Sequence, residues 1–132
     1  LKNIDLMKKD IIIPPSLGVH LAIVKGEDNF WDLYLLNKNQ TALRNIIINS
    51  NAKSDTKQTA TLRYFLEKMD EFSYIKFESV LDEVVELDNG ILVTYFIGAD
   101  IYEKEFGFTK EILFAFPPQE IDMLKMVGYE FC

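Results

Sequence analysis

Carboxylates are the side chains dense enough here to suggest chemistry: Asp82, Glu83, Glu86 and Asp88 fall within seven residues. Such a cluster could hold Ca²⁺ or supply the acid–base pair of a glycosidase. Its spacing departs from the calcium-loop pattern. Asp88-Asn89-Gly90 reads as a strong turn signal, and acids beside a turn are expected to solvate the surface. Nucleophilic chemistry has less to work with. Any serine or cysteine mechanism that needs an imidazole base must use His20, the single histidine. His20 stands in an alternating apolar segment with Val19, Leu21 and Ile23, where a structural imidazole is expected. One histidine excludes every zinc motif that needs two. The lone Cys132 excludes an internal disulfide framework and a C-x-x-C metal site. Neither a G-x-S-x-G nor an H-E-x-x-H occurs, and no phosphate loop or dinucleotide fingerprint is present. No cofactor and no metal are expected.

The charge pattern bears on partners. The net charge is −7 and the sequence pI about 4.7, which disfavours a general nucleic-acid binder, because neutralising phosphates takes clustered Lys and Arg. Along the chain the charge is uneven. Residues 37–63 carry Lys38, Arg44, Lys53, Lys57 and Arg63 against Asp55, a local +4, whereas residues 67–105 hold eleven acids and three lysines, a local −8. This dipolar pattern suits docking in one orientation. Arg44 and Arg63 are the only arginines, few for phosphate recognition.

These residues must be positioned by strands. At 132 residues the chain suffices for one domain with a real core. No apolar run approaches the roughly 18 residues of a membrane span, so a soluble, cytoplasmic protein is expected. Residues 19–24, 31–36, 43–49, 72–79, 91–97 and 101–109 alternate as strands, with 91–97 the most apolar and central. Trp31, Phe77, Val93, Phe96 and Phe108 are expected to face the core. Residues 50–57 read as an exposed loop, 58–63 as a polar edge strand, 64–69 as a helical turn and 80–87 as either helix or strand. Residues 98–100 read as a hairpin turn. Ile121, Leu124 and Val127 have helical spacing ahead of a Gly128 C-cap, which predicts a short C-terminal helix.

About seven strands with no long helix between them predict an all-β fold: a two-layer antiparallel β-sandwich of immunoglobulin-like type. Residues 1–15 read as an N-terminal extension ending in Pro14-Pro15, 16–116 as the sandwich domain and 117–132 as a C-terminal extension. The candidate interaction edge is the strand at 58–63, with Thr59, Thr61 and Arg63 outward and backbone groups free to pair with a protein partner or a second copy.

A set of segments resembles a small uncharacterised family common in Bacteroidetes. They are Met7-Lys8-Lys9-Asp10-Ile11, Trp31-Asp32-Leu33-Tyr34-Leu35-Leu36-Asn37 and Thr59-Ala60-Thr61-Leu62-Arg63-Tyr64-Phe65, followed by Ser73-Tyr74-Ile75-Lys76-Phe77-Glu78, Asp82-Glu83-Val84, Phe96-Ile97-Gly98 and Glu105-Phe106-Gly107-Phe108. They cover most of the chain. Members of that family often carry the label "phenylalanyl-tRNA synthetase alpha subunit". A synthetase needs arginines that hold ATP phosphates and a glycine-rich, arginine-ended strand, and neither Arg44 nor Arg63 has such a context. A fainter similarity, in the Val19 to Val24 and Tyr34 to Asn37 segments, is to the β-domain that precedes Smr domains. The resemblance transfers no catalytic residue. The expected function is a non-enzymatic module that binds another protein. The alternatives are a carbohydrate-active or other hydrolase using Asp82, Glu83 or Glu86, and an RNA-associated accessory domain.

Overall fold

The computed structural model describes residues 17–132, and the extension read over residues 1–15 lies outside them. Two antiparallel sheets face each other. Sheet I has the order β5-β2-β1-β9-β8 and sheet II the order β4-β3-β6-β7. In chain order the strands are β1 (Val19–Lys25), β2 (Phe30–Asn37), β3 (Leu43–Lys53), β4 (Leu62–Met69) and β5 (Ser73–Leu81). After the one-turn helix α1 (Asp82–Val85) come β6 (Asp88–Ile97), β7 (Asp100–Phe108), the short helix α2 (Lys110–Phe114), β8 (Gln119–Ile121) and β9 (Met126–Phe131). Among the described residues strands make up 62% and helix 8%, so the all-β sandwich holds, with nine strands there rather than about seven. With β1, β2 and β5 as A, B and E, and β3, β4, β6 and β7 as C, C′, F and G, the orders E-B-A and C′-C-F-G are those of an immunoglobulin-type sandwich. Among the described residues no helix is long and apolar enough to cross a membrane.

The alternation builds the core. Val19, Leu21 and Ile23 of β1, Trp31, Leu33 and Leu35 of β2, Ile46 and Ile48 of β3, and Ile91, Val93 and Tyr95 of β6 all point between the sheets. β1 is apolar on its other face too, because Ala22 and Val24 are covered by Ile121 and Leu124 from the last hairpin. Asn45, at a positive φ of 49°, marks a bulge between Arg44 and Ile47. The extra residue there returns both Leu43 and Ile46 to the core.

Several expectations change against this frame. β3 runs on to Lys53 instead of ending in a loop at residue 50. Asn51 and Lys53 alternate with the small buried residues Ser50 and Ala52, so low hydrophobicity hid a real strand. Residues 64–69 are strand, not a helical turn. Tyr64 and Leu66 pack on the core while Phe65 faces out, and that outward ring is what broke the apparent alternation. Asp88-Asn89-Gly90 opens β6 rather than turning the chain. The Asn89 amide is drawn in to donate to the carbonyls of Val84 and Leu87, at 3.0 Å each, and so closes the end of α1. The tight turn comes later, at Gly98 and Ala99, where Gly98 has φ 61°. Phe96 sits on the outer face, because the inward positions of β6 are Ile91, Val93 and Tyr95. Trp31, Val93 and Phe108 are buried, and Phe77 packs partly buried against the same core.

The C-terminal helix is absent. Residues 119–127 form β8, a turn and the start of β9. Lys125 at φ 58° and Leu124 both donate backbone N–H groups to the Ile121 carbonyl. Ile121 and Leu124 are buried as a helical face would have them, but through that turn. Val127, the third member of the spacing, is exposed. Gly128 lies within β9, where a Cβ would stand 2.5 Å from the Ile23 carbonyl oxygen, so the glycine serves close approach to β1 and not a helix cap. Residues 117–132, set apart above as an extension, therefore supply two strands of sheet I.

Candidate functional site

Thr59, Thr61 and Arg63, expected together on one edge strand, do not share a strand: only Arg63 lies within β4. Residues 58–61 form no strand beyond an isolated bridge between Lys53 and Gln58. Thr59 does not face outward with a free backbone. Its N–H donates to the Ala52 carbonyl at 2.8 Å, and its hydroxyl accepts from Ala52 N at 2.9 Å and returns to Ala52 O. The threonine thereby pins the 54–58 turn onto β3. Thr61 is exposed, outside any strand. Arg63 does lie on an edge, near the start of β4, and its Nε donates to Asn49 Oδ1 on the neighbouring strand at 3.0 Å.

β4 is one of the four edge strands, with β5, β7 and β8. Among the described residues it pairs with β3 on one side and with no strand on the other. It is eight residues long with no proline, glycine or bulge against β3. Its outer face carries Arg63, Phe65 and Glu67 in alternation, and Phe65 is 61% exposed beside Ile47. A large apolar ring at the middle of a regular, unpaired strand is what edges usually avoid. The sequence held a signal for it in the charges two residues either side of Phe65.

A second feature lies between the sheets near the same side. An irregularity in the β2–β5 pairing leaves Phe77 as the extra residue, and beyond it Glu78 lines a crevice of about 300 Å³ with Ser50, Ala52, Thr59, Leu62 and Val80. Oε1 of Glu78 is buried without a hydrogen-bond partner. Burial pushes its carboxyl pKa up, and the hydroxyls of Ser50 and Tyr64 offset only part of that. Tyr64 is itself raised, first by burial and then by the charge of Glu78. Nothing in the alternation of β5 distinguishes Glu78 from a solvated acid, because the irregularity that redirects it is invisible in the sequence.

The acidic cluster divides. Asp82 accepts from the Trp31 indole N–H at 2.5 Å and has Lys25 Nζ at 3.8 Å. Glu86 faces Lys110 Nζ at 3.6 Å, and the two acids share a depression of about 240 Å³ with Trp31 and Phe114. Glu83 lines a different dent, with Lys57 and Gln58. Among the described residues no group of three or more His, Cys, Asp or Glu side chains could hold a metal ion. His20 is structural in its contacts. Its Nδ1 lies 2.6 Å from Glu130 Oε2 on β9, and a carboxylate only accepts, so the proton sits on Nδ1. Lys38 bonds the same oxygen. Burial alone would raise the Glu130 carboxyl, but the hydrogen bonds and charges of Lys38 and His20 outweigh it and hold the pKa below the usual range.

The basic segment does not gather. Lys38 is tied to Glu130, Lys53 stands opposite Asp88 of β6 in cross-strand register, and Arg44 stands opposite Lys68 of β4, cation beside cation. In comparisons with family models, curated proteins and solved structures, no match was found.

Proposed function

We propose that this chain is a non-enzymatic β-sandwich module that recognises a protein partner by accepting an extended segment alongside β4. One observation carries the reading: β4 is a regular, uncovered edge strand with Phe65 exposed between Arg63 and Glu67. Strand addition needs unpaired backbone groups for affinity and alternating side chains for selectivity, and β4 offers both. Of the three carboxylates a hydrolase would use, Asp82 and Glu86 are engaged with Trp31, Lys25 and Lys110, and Glu83 lines a separate dent, which favours binding over catalysis. Two of the basic segment's cations, Lys38 and Lys53, meet the acids Glu130 and Asp88, and the chain's net charge is −7, which favours a protein partner over a nucleic acid.

The test is capture from the source cells with the wild-type chain and with Phe65→Lys as baits. Lysine at this exposed position should leave the fold intact and blunt the edge. Proteins held by the wild type should be lost from a variant whose far-UV CD and melting temperature are unchanged. If the folded variant retains the same proteins, β4 is not the docking strand.

A further inference from the structure

β4 reads almost the same in both directions in its chemistry. About Phe65, Arg63 and Glu67 stand symmetrically on the outer face, and Tyr64 and Leu66 symmetrically on the inner one. In an antiparallel pair related by a two-fold axis perpendicular to the sheet, faces are kept, and residues equidistant from the axis meet. With the axis at Phe65, Arg63 of one copy meets Glu67 of the other and the reverse pair repeats it. The two Phe65 rings lie side by side, Tyr64 meets Leu66, and Leu62 meets Lys68. Moving the axis to Tyr64 sets Arg63 against Phe65 and Glu67 against Thr61. Moving it to Leu66 sets Phe65 against Glu67 and Arg63 against Met69. Among these three registers, only the one on Phe65 pairs opposite charges, and it overlaps nearly the whole strand.

The side chains are available for it. Glu67 makes no ion pair or side-chain hydrogen bond among the described residues. Arg63 uses only Nε, on Asn49, which leaves both terminal guanidinium nitrogens. Among the described residues the far side of β4 carries no strand or helix, and its pairing with β3 has no bulge. We infer that the occupant of the β4 edge is a second copy of this chain, paired antiparallel about Phe65 so that the two copies of sheet II join into one continuous sheet. The inference rests on the reading of β4 as a docking strand and adds to it the partner, the register and the symmetry. It also gives the charges of β4 a different role from that of guards against pairing: they select one register. Each copy carries a net charge of −7, so approach is repulsive at long range. The two local ion pairs and the ring pair then decide which edges meet.

Charge exchange tests this directly. Sedimentation velocity from about 1 µM to about 1 mM should find the wild type in monomer–dimer equilibrium. Arg63→Glu and Glu67→Arg should each weaken dimerisation by about tenfold or more, since each replaces two attractive pairs by two repulsive ones. The double variant R63E/E67R restores both pairs and should dimerise as the wild type does. An equimolar mixture of the two single variants should form the heterodimer, because the two acids on the edge of one chain then face the two arginines on the edge of the other. Far-UV CD checks that each variant is folded, and Phe65→Lys, which puts two ammonium groups on the axis, gives an independent monomer. A wild type that stays monomeric at about 1 mM overturns the inference, as does a dimer indifferent to the single exchanges or one that the double variant fails to restore. These failures differ from failure of the docking reading. A monomeric wild type whose captured proteins are still lost with Phe65→Lys keeps β4 as a docking edge with a different occupant.

Discussion

Replacing Trp31 with alanine should remove about 3–5 kcal/mol of stability. The ring is 8% exposed and projects from β2 of sheet I into the core, between Lys25 of β1 and Val80 of β5 in cross-strand register. Its neighbours are held by two sheets, so the space left by truncation cannot fully collapse. Trp31→Phe separates the ring from its polar tip. Phenylalanine keeps much of the apolar area but offers Asp82 no N–H in place of the 2.5 Å indole bond. The Asp82 side chain is 46% exposed and has Lys25 at 3.8 Å, so it is neither fully desolvated nor stranded. The hydrogen bond should then be worth about 1 kcal/mol, near the lower end for a charged acceptor. Urea unfolding read by far-UV CD gives all three free energies, and because Trp31 is the only tryptophan, wild-type emission follows the same site independently. Against a typical 5–15 kcal/mol for a domain, the alanine variant should unfold at much lower urea. An alanine loss below about 1 kcal/mol would refute core placement of the ring. Equal losses for the two variants would refute the division between area and hydrogen bond.

Gly128→Ala should lower stability by about 1–3 kcal/mol, because the new Cβ would sit 2.5 Å from a backbone oxygen of β1 and 2.9 Å from a Val24 methyl; an unchanged melting temperature would contradict that close approach. Glu78→Gln should raise stability at neutral pH, since burial lifts the Glu78 carboxyl in the folded chain above its unfolded value. In the window between those two values the folded state binds more protons, so stability falls as pH rises through it and stays lowered above; melting temperatures across that window should fall for the wild type relative to the variant, and parallel curves would refute the account.

The sequence made the inner faces of the strands readable because burial imposes period two on them. Val19 to Val24 and Trp31 to Leu36 could be placed from side-chain type alone, whereas in Ile91 to Ile97 the strand was placed but Phe96 was assigned to the wrong face because Tyr95 takes the inward position. What escaped notice depends on contacts that residue type does not reveal. Asn89 looked like a turn residue, yet its amide reaches back five and two residues to the carbonyls of Val84 and Leu87 and closes the end of α1. Phe65 disguised a strand as a helical turn because an outward aromatic contradicts the rule that fixes face from hydrophobicity. Residues 121–127 satisfy a helical spacing and a β-turn equally well, and the choice is made by the bare flank of β1, which needs a strand beside it. An exposed edge strand was legible in kind, but its bounds were not: it runs from Leu62 to Met69 and not from residue 58 to 63. Thr59 resembled an outward edge residue, and only its bonds to Ala52 show that it fastens a turn instead.

The pairing of β1 with β9 sets a timetable for synthesis. Among the described residues the second edge of β1 is paired by β9, and Ala22 and Val24 on its outer face are covered by Ile121 and Leu124. About a hundred residues separate the two strands, which at the usual rate of about 5–20 residues per second is roughly 5–20 s of translation. Throughout that interval the second edge of β1 stands open, a template for pairing with a neighbouring nascent chain. The strands that meet between the sheets, β1 to β7, are all synthesised before β9. Sheet I therefore gains its last two strands late, as a hairpin laid along a core whose main strands have already left the ribosome.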